Sequence, residues 1–270
     1  MCYDSAALSK RSLDYAKRVG YGPETIEELE QQFLRLREIS GPVFHANGYD
    51  HPALPIVLEE EEKKEVKLFQ WGLVPQWTKN LEQAQQVWNR TLNARSETIF
   101  EKPAYREAAE KRRCLVVLDG FYEHHHKGSR TFPYYIQMAN KEPMIMAGIY
   151  ERWLNPEDQN SLFTFSIVTT QANSLLQKIH NNPKMKEARI PLILSREKQE
   201  LWLSKLSPVR DKKTFAEIFK PIASEELIAH TVAPLRGMRK VGNVPIAQEE
   251  KVYPELMQED SDEHGQISLF

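Results

Sequence analysis

Cysteine is almost missing from this chain of 270 residues, with Cys2 and Cys114 its whole supply. Two thiols so far apart exclude a disulfide-stapled scaffold and a closed Cys-rich zinc site, so each must be explained singly. Glycine (11) and proline (16) are too few for a collagen-like or low-complexity chain. Long apolar runs are absent as well; none approaches the ~18 to 20 residues that a membrane-spanning helix needs. Met1-Cys2-Tyr3-Asp4 carries neither the basic nor the apolar region of a secretory signal, and a cytoplasmic protein is expected. Charge of one sign is lacking too. Thirty-six basic and 38 acidic residues leave −2, which argues against indiscriminate binding to nucleic acid. That total hides an asymmetry: residues 246–270 hold seven acidic side chains against Lys251, so the remainder is mildly basic.

What is present suits one large β-rich domain. The hydrophobic content of 41% is ordinary for a globular chain, and a chain this long buries roughly three quarters of its unfolded surface. Ile26, Leu29, Phe33 and Leu36, followed by Ser40-Gly41-Pro42, predict a helix over 25–39. Segments 66–71, 113–122, 132–138, 144–153 and 162–169 are rich in β-branched and aromatic residues, are bounded by turn residues, and read as strands. Helical spacing recurs over 96–111, 171–179, 196–203 and 212–219, with Ala172-Asn173-Ser174 as a helix entry. The acidic run 59–65 reads as a solvated hairpin tip. The expected class is α+β, a single domain over 1–245 with a mainly antiparallel sheet, followed by an acidic flexible tail over 246–270.

Cys2 carries the first chemistry. A small second residue permits removal of Met1, after which Cys2 would present an α-amine beside its thiol. An aldehyde meeting such a 1,2-aminothiol forms a Schiff base with the amine, and the thiol then closes a five-membered thiazolidine ring. Further motifs follow in order: Trp71-Gly72-Leu73-Val74-Pro75-Gln76-Trp77, Asn93-Ala94-Arg95-Ser96-Glu97, and Leu118-Asp119-Gly120-Phe121-Tyr122-Glu123. Beyond them come Val168-Thr169-Thr170-Gln171-Ala172-Asn173, Ile179-His180, and Arg189-Ile190-Pro191-Leu192-Ile193-Leu194. With cysteine at position 2, the series over about 2–245 resembles the SOS response-associated peptidase (SRAP) family.

The resemblance implies a barrel-like β core flanked by helices. It also implies a sensor that shields abasic sites in single-stranded DNA by covalent linkage through its N-terminal cysteine, with autopeptidase and possible lyase activity and no cofactor or metal. Matched by position, Cys2 is the nucleophile, Asn93 its neighbour, Glu123 the acid/base carboxylate and His180 the catalytic histidine. Arg95 and Arg189 match phosphate-contacting arginines, Thr169 the threonine beside the site, and Trp71 with Pro75 the apolar wall against which bases pack. The residue chemistry agrees. Opening an abasic hemiacetal and dehydrating a carbinolamine both need proton carriers, and arginines with exposed tryptophans suit an unpaired strand. Three departures stand out. Tyr3 and Asp4 replace the family's Gly-Arg, His124-His125-His126 follows the glutamate where a tryptophan is common, and 181–188 stretches the spacing from His180 to Arg189.

Other readings of these residues remain open. Cys2 and His180 could serve a thiol peptidase acting on other proteins, the fold could be a noncovalent single-strand or modified-base binding module, and His180-Asn181-Asn182 weakly suggests an HNH-like nuclease. The tryptophans of 71–77 could be core. The clusters Lys111-Arg112-Arg113 and Arg236, Arg239, Lys240 read as solvated surface. His124-His125-His126 reads as a hairpin loop, because adjacent imidazoles on an extended chain point alternately and do not close around one ion. Cys114 reads as a small buried residue. At the end of the chain Gln266-Ile267-Ser268-Leu269-Phe270 resembles the peptide by which bacterial proteins dock on the DNA polymerase sliding clamp. Gln266 would anchor by hydrogen bonds and Leu269 and Phe270 would fill an apolar pocket, giving a nucleoid-associated protein in a bacterial cytoplasm.

Overall fold

A computed structural model describes residues 2–8, 23–60 and 63–257. The clamp-like peptide with Gln266, Leu269 and Phe270 lies outside the described residues. In chain order the elements are β1 (Asp4–Ala7), α1 (Pro23–Ser40), β2 (Val43–Asn47), β3 (Ala53–Glu60), β4 (Lys63–Trp71), α2 (Leu81–Trp88) and β5 (Asn93–Arg95). Then come α3 (Arg106–Lys111), β6 (Arg113–Leu118), β7 (Gly120–Lys127), β8 (Arg130–Met138), β9 (Met144–Leu154) and β10 (Ser161–Gln171). Last are α4 (Ser174–Ile179), β11 (Arg189–Pro191), α5 (Arg196–Leu203), α6 (Lys212–Ile218), β12 (Leu227–Thr231) and α7 (Pro254–Met257).

Five strands close on themselves in the order β10-β4-β3-β6-β9, because β9 pairs with β10 as well as with β6. The closure removes the exposed sheet edges that such apolar strands would otherwise present. Pairing is antiparallel except where β10 runs parallel to β4 and to the short β5. A second sheet, β12-β8-β7-β1-β2, is antiparallel throughout. The α+β class with a barrel-like core is therefore the observed one. No helix among the described residues is long and apolar enough to cross a membrane.

The segment expected as one strand over 113–122 is two strands in different sheets. Leu118 ends a fully buried barrel strand, Asp119 donates its N–H to the Ala6 carbonyl at 2.8 Å, and Gly120 opens β7. Any Cβ at residue 120 would stand 2.5 Å from the Ile136 carbonyl oxygen, so only glycine allows the chain to change sheets here. The helix expected over 96–111 shrinks to a single turn at Ser96–Thr98 and α3, since Pro103 cannot continue a helical hydrogen-bond ladder. By contrast, Asn173 caps α4 as expected, its Oδ1 accepting the Leu176 N–H at 3.0 Å.

Two surface expectations are corrected. His124-His125-His126 lies within β7, and the turn falls beyond it, at Gly128 with φ +58. Of the cluster 111–113, only Lys111 is solvated. Arg113 is buried, donating to the carbonyls of Trp202 at 2.6 Å and Ala109 at 2.8 Å, with the Trp202 and Phe215 rings flanking it. Arg112 pairs with the buried Glu151 at 2.7 Å. Arg113 thus holds α3 and α5 to the barrel, and Arg112 ties the end of α3 to β9. Cys114 is buried as expected, facing Gly148 across the β6–β9 pair.

Candidate active site

Where the two sheets meet, four side chains named from the sequence come together. Cys2 stands two residues before the first residue of β1, whose register on β7 sets Asp4 opposite Tyr122 and so brings the start of the chain beside Glu123. From the barrel side Asn93, on β5, donates from Nδ2 to the Cys2 carbonyl at 2.7 Å. Its Oδ1 is buried and accepts no hydrogen bond among the described residues. Glu123 and His180 are both buried, with His180 Nδ1 3.3 Å from Glu123 Oε1. His180 reaches this place because it ends α4, which Asn173 starts. Its Nε2 lies 3.0 Å from the Met185 sulfur, a group that can only accept, so this contact uses an imidazole N–H.

Beside these groups opens a cavity of about 190 Å³, lined by Tyr3, Glu123, His180, Met185 and Arg236 among others. Cys2 is fully buried, its Sγ directed at the Asp4 carbonyl at 3.7 Å. Burial pushes the thiol well above its ordinary range, and the Glu123 charge adds to the rise. The resting thiol is therefore neutral. Burial would also raise Asp4, but the hydrogen bond from His45 and the charge of Arg236 outweigh it and hold that carboxyl below its usual value. The acid at position 4 is thus neutralised locally, by His45 Nε2 at 2.9 Å and Arg236 Nη2 at 2.6 Å.

Several sequence assignments change place. Trp71 is fully buried, its indole N–H donating to the Leu92 carbonyl at 2.8 Å and its rings parallel to Phe165, so it offers no face to a base. It instead fixes the chain just before Asn93. Pro75 is buried as well, whereas Trp77 is 48% exposed. Thr169 lies inside, its hydroxyl donating to the Ala94 carbonyl at 3.3 Å. Arg189, only 1% exposed, is committed to Glu97 through Nη1 at 3.1 Å and Nη2 at 2.7 Å, and to the Thr169 carbonyl at 2.8 Å. It has no donor edge turned to solvent and acts as a tie between β11 and the turn after β5. Arg95 alone of the pair is exposed. Sequence reasoning missed His45, Met185 and Arg236 as neighbours of the site; the signal available was the departure at Asp4, an acid needing a partner.

A closed five-stranded barrel with a second sheet laid against it, and a cysteine, an amide, a carboxylate and an imidazole at their junction, defines the class. The model of the SOS response associated peptidase (SRAP) family matches residues 22–239, and the chain belongs to that family. Among its relatives are the abasic site processing protein YoqW of Bacillus subtilis, 29% identical over 201 residues that cover 71% of this chain and 84% of that one. The abasic site processing protein HMCES of Gallus gallus is 29% identical over 228 residues, covering 75% of this chain and 63% of that one. In structure, a crystallised protein from Bacteroides thetaiotaomicron superposes with a TM-score of 0.73 at 33% identity, over 93% of this chain and all of that one.

Proposed function

We propose that this protein captures abasic sites in single-stranded DNA as a covalent thiazolidine on Cys2, after Met1 has been removed by an aminopeptidase or by the site itself. The observation that carries this reading is the convergence of Cys2, Asn93, Glu123 and His180 beside one small cavity. It is supported by family membership and by relatives whose names describe abasic-site processing. The amine of a processed Cys2 would lie within reach of the buried Asn93 Oδ1, an acceptor suited to hold its hydrogen and aim its lone pair.

Because the thiol rests neutral, the amine attacks first. It adds to C1′ of the ring-opened sugar to give a carbinolamine, and His180 and Glu123 relay the proton that lets hydroxide leave as water. The Cys2 thiol then adds to the resulting imine carbon while its proton passes to nitrogen. One aldehyde and one aminothiol thus become one thiazolidine and one water. Arg95 on the outer face suits a backbone phosphate and Trp77 an unpaired base. A peptidase acting on other chains fits less well, because the thiol is buried beside a cavity too small for a polypeptide. The acidic end of the chain, with Gln266, Leu269 and Phe270, would add docking on a sliding clamp; a pull-down unchanged by deleting 266–270 rejects that part.

The test is direct. Purified protein and single-stranded DNA with one abasic site should yield an adduct that survives heat and denaturing electrophoresis without borohydride. Cys2→Ala and protein retaining Met1 should yield none, and Glu123→Gln should form it more slowly with noncovalent DNA affinity nearly intact. An adduct that persists in Cys2→Ala rejects the mechanism. Intact-mass measurement showing Met1 retained throughout would do the same.

A further inference from the structure

Arg236 is the one permanent cation lining the cavity among the described residues, and the chemistry above leaves it unused. Its side chain is 53% exposed. One nitrogen, Nη2, donates to Oδ2 of Asp4, whose own side chain is 2% exposed and whose other oxygen accepts from His45. Asp4 is the sole acceptor that the guanidinium meets among the described residues. A guanidinium has five donors in a rigid plane, so fixing one against a buried carboxylate orients the rest without spending them. The setting needs such a group. Asp4 and Glu123 are two carboxylates on one small cleft, and together they would repel the polyanion whose sugar must enter it.

We propose that Arg236 seats the phosphodiester adjoining the damaged sugar, so that the phosphate is received from the segment after β12 rather than from beside Cys2. The proposal rests on the abasic-site reading above. Asp4 and Arg236 lie 232 residues apart in sequence, yet they act as one unit in which the acid positions the base.

Binding should be measured in a Cys2→Ser background to single-stranded DNA carrying a tetrahydrofuran residue, which has no aldehyde to react, across a series of salt concentrations. Arg236→Ala should weaken binding about tenfold and reduce the slope of log affinity against log salt by about 0.7, the value for one lost phosphate contact on a single strand. Arg236→Lys should keep the slope. The deciding variant is Asp4→Asn combined with Arg236→Ala, which is net neutral at the pair and leaves no buried charge unpaired. If Arg236 seats a phosphate, the double variant binds as weakly as Arg236→Ala; recovery of affinity and slope would show that Arg236 only neutralises Asp4 and would overturn the proposal. An unchanged slope in both variants overturns it as well. Crosslinking by the unaltered protein, run alongside, separates the two levels: no adduct there rejects the underlying reading, whereas an adduct with unchanged slopes rejects Arg236 alone.

Discussion

Replacing Arg189 by methionine separates a structural arginine from a DNA-binding one. The side chain is almost wholly enclosed, and its loss removes two bonds to Glu97 and two to Thr169. Methionine keeps most of the apolar stem, so the change is chiefly electrostatic. Glu97, with its side chain 44% exposed, can turn to water. The Thr169 carbonyl is less fortunate: buried, it loses its guanidinium partner, at about 1 to 3 kcal/mol. Breaking a fully buried ion pair costs about 3 to 5 kcal/mol, and a half-solvated partner puts this case at the lower end, near 3 kcal/mol. At about 2 to 4 °C per kcal/mol for a domain of this size, thermal unfolding followed by circular dichroism should shift down by about 6 to 12 °C. The salt dependence of single-strand binding should not move. A variant with an unaltered midpoint but a shallower salt slope would refute the assignment and return Arg189 to the DNA.

Other outcomes follow from the same geometry. Gly120→Ala forces a Cβ against the Ile136 carbonyl and should destabilise by about 1 to 3 kcal/mol or prevent folding, read as a lowered midpoint or insoluble protein. Trp77→Ala should cost about 1 to 3 kcal/mol of single-strand affinity at unchanged stability, while Trp71→Ala should do the reverse, in fluorescence titrations and melts respectively. Asp4 has its carboxyl held below the usual value in the folded state, so its contribution is complete above the unfolded value near 3.8 and fades as pH falls through the lower folded one. Acid titration of stability should therefore be flatter in Asp4→Asn below about pH 4. Native protein should resist alkylation of both buried thiols at pH 8 and react fully in denaturant, because burial raises each.

The long strands were legible in the sequence because β-branched and aromatic runs bounded by turn residues mark them without reference to anything distant. Short elements such as β5, β11 and β12 carried too few residues for any periodicity to show. The site quartet was legible for a different reason, its order along the chain. Exposure was not. Trp71, Thr169 and Arg189 sit on strands around β10, where closure of the barrel decides which way a residue faces, and no local pattern encodes closure. The pairing of Asp4 with Arg236 was likewise invisible, since it joins residues 232 apart in sequence, on β1 and just beyond β12 of the same sheet. The break in the helix after β5 was legible, because Pro103 interrupts the pattern over 96–111, and the apolar spacing alone passed over it.

The hydrogen bond from Asn93 to the Cys2 carbonyl joins a strand attached to the barrel with the leader of the other sheet. That contact parts when the leader to β1 frays or the sheets separate, and the frequency of such opening sets how often the sulfur meets solvent. The thiol is accordingly a built-in gauge: the rate at which an alkylating reagent modifies Cys2 under native conditions, told apart from Cys114 by peptide mass, reads out how firmly that contact holds.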